Sequence, residues 1–249
     1  DYVTDWGEAI RLVTFQLPAA MIQPGETVRA AFYLVNQAPI TTNLNVLVRV
    51  VGQDGSELAR SEGWPWGAAT STWQQGVLWP DGHDLTIPAE TPPGHYRVEL
   101  GFYDPATMAF LPATQSNTGQ ALGEMVAIDT LQVGALPEPS SLLSPPVYLG
   151  DSLTLRGVRI TPGATVAPGT EIGVRLFWQA RQWPAANFTA FVHLVGPDGA
   201  LAAQMDKPPL QGFLPTSTWY PRQRVVDDFV LTLPADAARG PEPLPATAA

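Results

Sequence analysis

The feature that most constrains the fold of this chain is an internal repeat. Residues 22–60 match residues 166–204 without a gap at a shift of 144 positions, and residues 70–73 match 216–219 at a shift of 146. Each copy keeps a Pro-Gly pair before its first matching strand and a Thr-Ser-Thr-Trp segment later. Self-similarity over this length predicts two copies of one structural unit.

Within each copy, apolar residues recur at every second position. The first copy has Val28, Ala30, Phe32 and Leu34, and the second has Ile172, Val174, Leu176 and Trp178. This alternation is typical of strands with one buried face. Asp-Gly pairs at 54–55 and 198–199 supply the residues that hairpin turns prefer. The sequence therefore predicts an all-β fold of two tandem immunoglobulin-like β-sandwich units.

The repeat also places the predicted domain boundaries. Residues 1–134 form the first unit, in which residues 1–9 are an extension outside the repeat. Residues 135–146, which are rich in Pro and Ser, form a linker. Residues 147–249 form the second unit.

The second copy stops matching the first at Gly240. The first copy continues with the strand pattern HYRVELGFY at 95–103, whereas the second has PEPLP at 241–245. Three prolines in five residues cannot form a central strand, because proline lacks the N–H that the ladder needs. We therefore expect unit 2 to lack its last two strands and to expose an apolar face. Its predicted strand-accepting residues are Val192, Leu194 and Trp178.

Two explanations of the missing strands remain open at this point. The chain is truncated, or an extended segment of a neighbouring molecule completes the sheet, as in donor-strand complementation. The predicted donor is the N-terminal segment of another copy, with Leu12, Val13 and Phe15 in its alternating run.

Composition and charge limit the possible functions. The 23 acidic residues exceed the 13 basic ones and are scattered, which disfavours binding to nucleic acid or to an anionic membrane. There is no Cys, and therefore no disulfide and no thiol nucleophile. The longest apolar run, residues 44–51, is interrupted by Arg49 and is too short to span a bilayer. We expect no direct membrane insertion.

Four motifs carry a resemblance to a known family: FVHLVGPDG at 191–199, PTSTW at 215–219, LPADA at 233–237 and GFYDPAT at 101–107. They resemble the β-sandwich repeat that follows the membrane-embedded glycosyltransferase-like domain in envelope proteins of filamentous Chloroflexi-type bacteria. This resemblance implies an extracytoplasmic location, at the cell surface or secreted. It implies as partners other copies of the chain or another envelope protein, and it supplies no catalytic residue.

The titratable residues give no recognisable catalytic set. We expect His83 in a polar loop and His95 at a strand start to be exposed, and His193 to lie on the outward side of its strand. None belongs to a nucleophile motif, so we predict no enzyme activity and no cofactor. Residues 81–84 and the pair Asp227-Asp228 are candidate calcium ligands, because they supply several carboxylate oxygens. Their spacing does not match an EF-hand, so they are interpreted as solvated turn acids, with calcium binding left open.

Tryptophans in predicted loops suggest a second class of function. Trp64, Trp66 and Trp183 could stack against sugar rings, although a loop Trp more often closes the end of a sandwich. Two functions therefore remain open. The first is a non-catalytic structural or assembly module of the cell surface. The second is a carbohydrate-binding accessory module, with cell-surface glycans as ligands, of an envelope glycosyltransferase-like protein.

Overall fold

The computed structural model describes residues 3–17, 21–163 and 166–237. It separates into two compact units that meet in sequence at Ala135 and Leu136, called here unit 1 and unit 2. All regular structure in the described ranges is β-strand or short 3₁₀ turn, so the predicted all-β class is confirmed. Over the same ranges, no helix has the length and apolar character needed to cross a membrane. The finer assignment to the immunoglobulin type stays a prediction.

Unit 1 contains twelve described strands and two 3₁₀ turns. The strands are β1 (Thr4–Trp6), β2 (Ile10–Gln16), β3 (Met21–Ile22), β4 (Thr27–Asn36), β5 (Asn45–Val51), β6 (Glu57–Gly63), β7 (Leu78–Thr86), β8 (Gly94–Asp104), β9 (Ala109–Phe110), β10 (Ala113–Gln115), β11 (Ala121–Gly123) and β12 (Val126–Val133). The turns are Pro65–Gly67 and Thr70–Thr72.

These strands form two sheets that share one core. The first has the order β11-β10-β1-β2-β4-β7, and the second has the order β3-β12-β8-β5-β6 with β9 added on β8. The inward residues of β4 alternate as the sequence predicts, and they are buried in one core with those of β5 and β8. Trp6 meets Phe102 across the two sheets with ring centroids 5.2 Å apart. Unit 1 is thus a closed two-layer sandwich.

Unit 2 contains six described strands and two 3₁₀ turns. The strands are β13 (Val147–Leu149), β14 (Leu153–Thr161), β15 (Glu171–Ala180), β16 (Ala190–Val195), β17 (Leu201–Lys207) and β18 (Arg224–Thr232). The turns are Pro209–Gly212 and Thr216–Thr218. One sheet has the order β13-β14-β15-β18, and the other is the hairpin of β16 and β17.

The two units repeat the same strand registers. Thr27 pairs with Thr86 in unit 1, and Glu171 pairs with Thr232 in unit 2. The first members of these pairs are related by the sequence shift of 144, and the second members by the shift of 146. β2 and β14 carry a register shift at the same place, between Leu12 and Thr14 in one and between Leu155 and Gly157 in the other. The repeated Trp73 and Trp219 are both buried, each just after its 3₁₀ turn.

The repeat reaches further towards the N-terminus than the sequence indicates. β1 pairs with β2 as β13 pairs with β14, so Thr4, Asp5 and Trp6 correspond to Val147, Tyr148 and Leu149. The predicted extension at residues 1–9 therefore contributes a strand to the sandwich. Sequence comparison misses it because the two short strands share no residue identity.

The predicted linker also differs from the structure. Residues from Leu136 onward belong to unit 2. Glu138 forms ion pairs with Arg156 and Arg224, and the Leu143 N–H donates to the Arg156 carbonyl at 2.8 Å. A proline-rich segment can lie along a sheet through such contacts without forming a strand, which the composition alone does not reveal.

The two copies differ in how their second sheet is built. In unit 1, β5 pairs with β6 on one side and with β8 on the other. In unit 2, β16 pairs with β17 alone among the described strands. No described strand corresponds to β8 or β12, and the proline-rich residues 241–245 lie outside the described part. The predicted incompleteness therefore holds for unit 2 as far as Ala237.

Hydrogen exchange should report this difference directly. Because one edge of β16 has no described partner, we expect amides in 190–195 to exchange faster than those in 45–51, which are paired on both sides. Exchange measured by mass spectrometry on the full chain compares the two segments internally. Equal protection would show that the edge of β16 is covered in solution.

Candidate functional site

Unit 2 contains an apolar cleft of about 1010 Å³. It lies between the sheet of β13, β14 and β15 and the inner face of β16. Its walls include the three predicted strand-accepting residues, Val192, Leu194 and Trp178. The structure therefore brings these three together, and their role in accepting a strand stays a prediction.

Comparison with unit 1 shows what the cleft leaves uncovered. Val46, Val48 and Val50 on β5 are fully buried, because β8 and the opposing sheet enclose them. The matching residues Ala190, Val192 and Leu194 on β16 are only half-buried. Each pair has similar apolar character, so the difference in burial comes from the neighbours and not from the residues themselves.

The outer face of β16 shows the same difference. Leu47 and Val51 on β5 are buried at 4% and 5% exposure. The matching Phe191 and Val195 are 65% and 58% exposed. Both faces of β16 are therefore uncovered along the edge that β8 occupies on β5.

A charged position lies at the middle of that outer face. Arg49 contacts Glu99, its cross-strand neighbour on β8, at 2.8 Å, and Glu57 on β6 at 3.9 Å. The matching residue in unit 2 is His193, which lies 3.7 Å from Asp206 on β17 and packs its ring on Phe191 at 4.8 Å. In both units this position has an acidic neighbour on the hairpin side. On the other side, β8 fills the space in unit 1, and no described strand fills it in unit 2.

The predicted donor residues lie inside unit 1 itself. Leu12 is buried in its core, Phe15 packs against that core, and Val13 is exposed at the register shift of β2. β2 pairs with β1 and β4 on its two sides. Donating this segment would require extracting a central strand from its own sheet, so the structure argues against it as the donor.

A buried aspartate occurs at the same place in both units and was interpreted wrongly as a solvated turn acid. Asp81 and Asp227 lie within β7 and β18, at 6% and 1% exposure. Asp81 Oδ1 accepts the Trp66 N–H at 2.8 Å, and Asp227 Oδ1 accepts the Leu210 N–H at 3.0 Å. Asp81 thus holds the 3₁₀ turn Pro65–Gly67, and Asp227 holds the matching turn Pro209–Gly212.

The side chain that contacts this aspartate differs between the units. His83 Nε2 lies 2.9 Å from Asp81 Oδ2 on the same strand, and its Nδ1 lies 2.8 Å from Ser61. In unit 2, Lys207 on β17 donates to Asp227 Oδ1. Burial raises the pKa of Asp227, outweighing the opposite effect of Lys207, and Oδ2 of Asp227 is buried without a hydrogen-bond partner.

The positions of the histidines differ from the sequence-based expectation. His83 and His95 are buried, contrary to the expectation of exposure, because both lie within strands. Among the described residues, no three His, Asp or Glu side chains cluster in a way that could hold a metal ion.

The candidate sugar-stacking tryptophans are all exposed. Trp64 and Trp66 flank Pro65 in unit 1, at 50% and 59% exposure, and Trp183 in unit 2 is at 62%. The Trp66 ring lies 5.5 Å from that of Trp79, which stacks on Trp73 at 5.1 Å. Trp66 has a positive φ of 53°, but Leu210 in the matching turn has one of 50°. That backbone shape therefore belongs to the repeated turn and not to a sugar site.

Comparisons with known proteins add no family. A scan against models of protein families found no match to the chain, and a search of curated proteins found no significant match.

Replacing Asp227 tests the buried anchor. Asp227→Ala removes the partner of the part-buried Lys207 and the acceptor of the Leu210 N–H, so unit 2 should lose about 3 kcal/mol of unfolding free energy. Asp228→Ala is the matched control, because its exposed carboxylate pairs with Arg175 and should contribute at most about 1 kcal/mol. Urea unfolding measures the difference, with hydrogen exchange of β18 assigning it to unit 2. Equal effects of the two changes would contradict the proposed anchoring role.

Proposed function

We propose that this chain is a non-catalytic structural or assembly module of the cell surface, located outside the cytoplasm, and that a β-strand from another polypeptide completes its second unit. The observation that carries the proposal is the contrast between β5 and β16. Equivalent apolar residues are buried beneath β8 in one unit and face an open cleft in the other. The extracytoplasmic location is supported by the resemblance of residues 191–199 and 215–219 to envelope-protein repeats.

Covering the cleft would release a substantial free energy. Burying one large apolar side chain contributes about 1.5–3 kcal/mol. The cleft presents several, since Val158 and Ile160 on β14 also line it and are exposed. The sum is comparable to the net stability of a domain, which is about 5–15 kcal/mol. A segment that fills the cleft would therefore stabilise unit 2 strongly.

The edge of β16 that no described strand covers favours an extended strand over a compact ligand. Alternate N–H and C=O groups along such an edge are available to a further strand, which is the basis of β-strand addition. Unit 1 shows that this backbone and side-chain pattern accommodates a strand, because β8 pairs with β5 along its whole length. Main-chain pairing and cleft filling would then occur together.

A peptide copy of β8 tests strand binding. The peptide GHYRVELGFYD, residues 94–104, contains no Trp, so any change in Trp emission comes from the chain. We expect a saturable change on titration into the full chain, because Trp178 lines the cleft. A peptide with Val98→Asp and Leu100→Asp should bind at least roughly tenfold more weakly, because charges cannot enter an apolar cleft unpaired.

The outcome separates three explanations. Weaker binding of the charged peptide supports strand addition. If neither peptide binds, the proposal is overturned. This result is expected if residues 238–249, or a further segment of the same chain, already cover the edge of β16. Displacement of the peptide by a fatty acid at equal concentration would instead identify an apolar small-molecule site.

A carbohydrate-binding function is the second candidate. The observation that favours it is the pair of exposed indoles, Trp64 and Trp66, on one short turn. Asp81 fixes the backbone of that turn and Trp79 supports the ring of Trp66. Rigid exposed aromatic rings are suited to stacking on the apolar faces of sugars.

Affinity electrophoresis through gels containing neutral or acidic polysaccharides tests this second function. If unit 1 binds a glycan, migration should slow in at least one gel, and Trp66→Ala should weaken binding by roughly five- to tenfold. Val77→Ala, at another exposed apolar residue of unit 1, is the control and should bind as the unchanged chain does. Unretarded migration in every gel would exclude this function for the polysaccharides used.

A further inference from the structure

The outward face of the β5–β8 pair in unit 1 contains one ion pair at its centre. Arg49 on β5 lies directly opposite Glu99 on β8, with the two side chains 2.8 Å apart. On either side of this pair, Leu47 faces Gly101 and Val51 faces Arg97. Glu99 is therefore the acidic residue that β8 presents to β5 on this face. Opposite charges directly across antiparallel strands stabilise one register over its neighbours.

The same register can be transferred to β16 residue by residue. Residues 46–51 correspond to 190–195, so a strand added as β8 is added to β5 faces Ala190, Val192 and Leu194 with its inward side chains. Its outward side chains face Phe191, His193 and Val195. Shifting the strand by one residue would turn its apolar side chains away from the cleft.

The described charged group nearest to His193 lies on the β17 side, and an incoming charge could approach from the other edge of β16. On β17, the residue directly opposite is the uncharged Gln204, and Asp206 lies diagonally at 3.7 Å. On its own strand, Phe191 stacks on the imidazole. Asp151, on the turn between β13 and β14, also lines the cleft. Of the described acids, Asp206 is the one within ion-pair distance of the imidazole, and it lies on the hairpin side.

Building on the strand binding proposed above, we infer that the strand added to unit 2 runs antiparallel to β16 and carries an acidic residue opposite His193, flanked by apolar residues that face the cleft. The acidic residue occupies the place that Glu99 has beside Arg49. It contributes to register and partner choice, whereas the apolar residues supply most of the affinity. The partner is thus an extended segment of alternating apolar residues with a carboxylate at its centre.

The histidine makes this contact dependent on pH. Histidine side chains change charge between about pH 5 and pH 8, and the imidazolium attracts a carboxylate whereas the neutral ring does not. Strand binding should therefore be tighter at the acidic end of this range. Arg49 at the matching position of unit 1 keeps its charge throughout, so the β5–β8 pair has no such dependence.

The test uses β8 peptides on the full chain at about pH 5.5 and about pH 8. All peptides carry His95→Gln, so that the peptide itself contributes no imidazole. We expect the peptide with Glu99 to bind roughly two- to fivefold more tightly at the lower pH, which is the range of an exposed ion pair. The Glu99→Gln peptide should show no such preference. The chain variant His193→Arg should bind the Glu99 peptide tightly at both pH values, and His193→Gln weakly at both.

The outcomes distinguish this assignment from strand binding itself. If all peptides bind alike at both pH values and in all chain variants, unit 2 accepts a strand but the acidic residue opposite His193 is wrong. A pH preference that persists in His193→Gln also overturns the assignment. If no peptide binds at either pH, the proposed strand binding fails as well.

Discussion

The pairing of β8 with β5 is the interaction on which the closed sandwich of unit 1 depends. β8 contributes the ladder to β5 and the inward side chains Val98, Leu100 and Phe102. β12 then adds to the far edge of β8. The described part of unit 2 shows what happens to the same backbone pattern without this strand. The hairpin persists, the opposing four-stranded sheet persists, and the space between them stays open.

The internal repeat made much of this fold predictable from the sequence. The alternating residues of β4 and β15 are buried as expected, and the Asp-Gly turns form with Gly55 and Gly199 both at a φ of 81°. The correspondence of the short strands β1 and β13 does not follow from the sequence, because Thr4–Trp6 and Val147–Leu149 share no residue identity. Val192 and Leu194 lie on one face of β16, as a period of two predicts, and Trp178 lies on the opposite wall of the cleft, on β15. Their role in accepting a strand stays a prediction.

The polar residues were less predictable than the apolar ones. The segment 81–84 resembles a turn, with Asp, Gly and His together, yet it lies in the middle of β7. Asp81 is buried there because it satisfies the backbone of a turn that is fifteen residues distant in sequence. A partner at that distance leaves no local pattern. The signal that was present is the alignment of Asp81 with Asp227, which a shift of 146 reveals.

The ion pair of Lys207 with Asp227 limits where the proposed strand could be added to unit 2. In unit 1 the buried aspartate lies beside His83 of its own strand, but in unit 2 the lysine comes from β17 and also lies over the Phe229 ring at 4.2 Å. The ion pair therefore joins the hairpin of β16 and β17 to the larger sheet at its β18 side. The contact joins the two walls of the cleft on this side. A strand added at the uncovered edge of β16, which is the other edge of the hairpin, would therefore leave this ion pair intact.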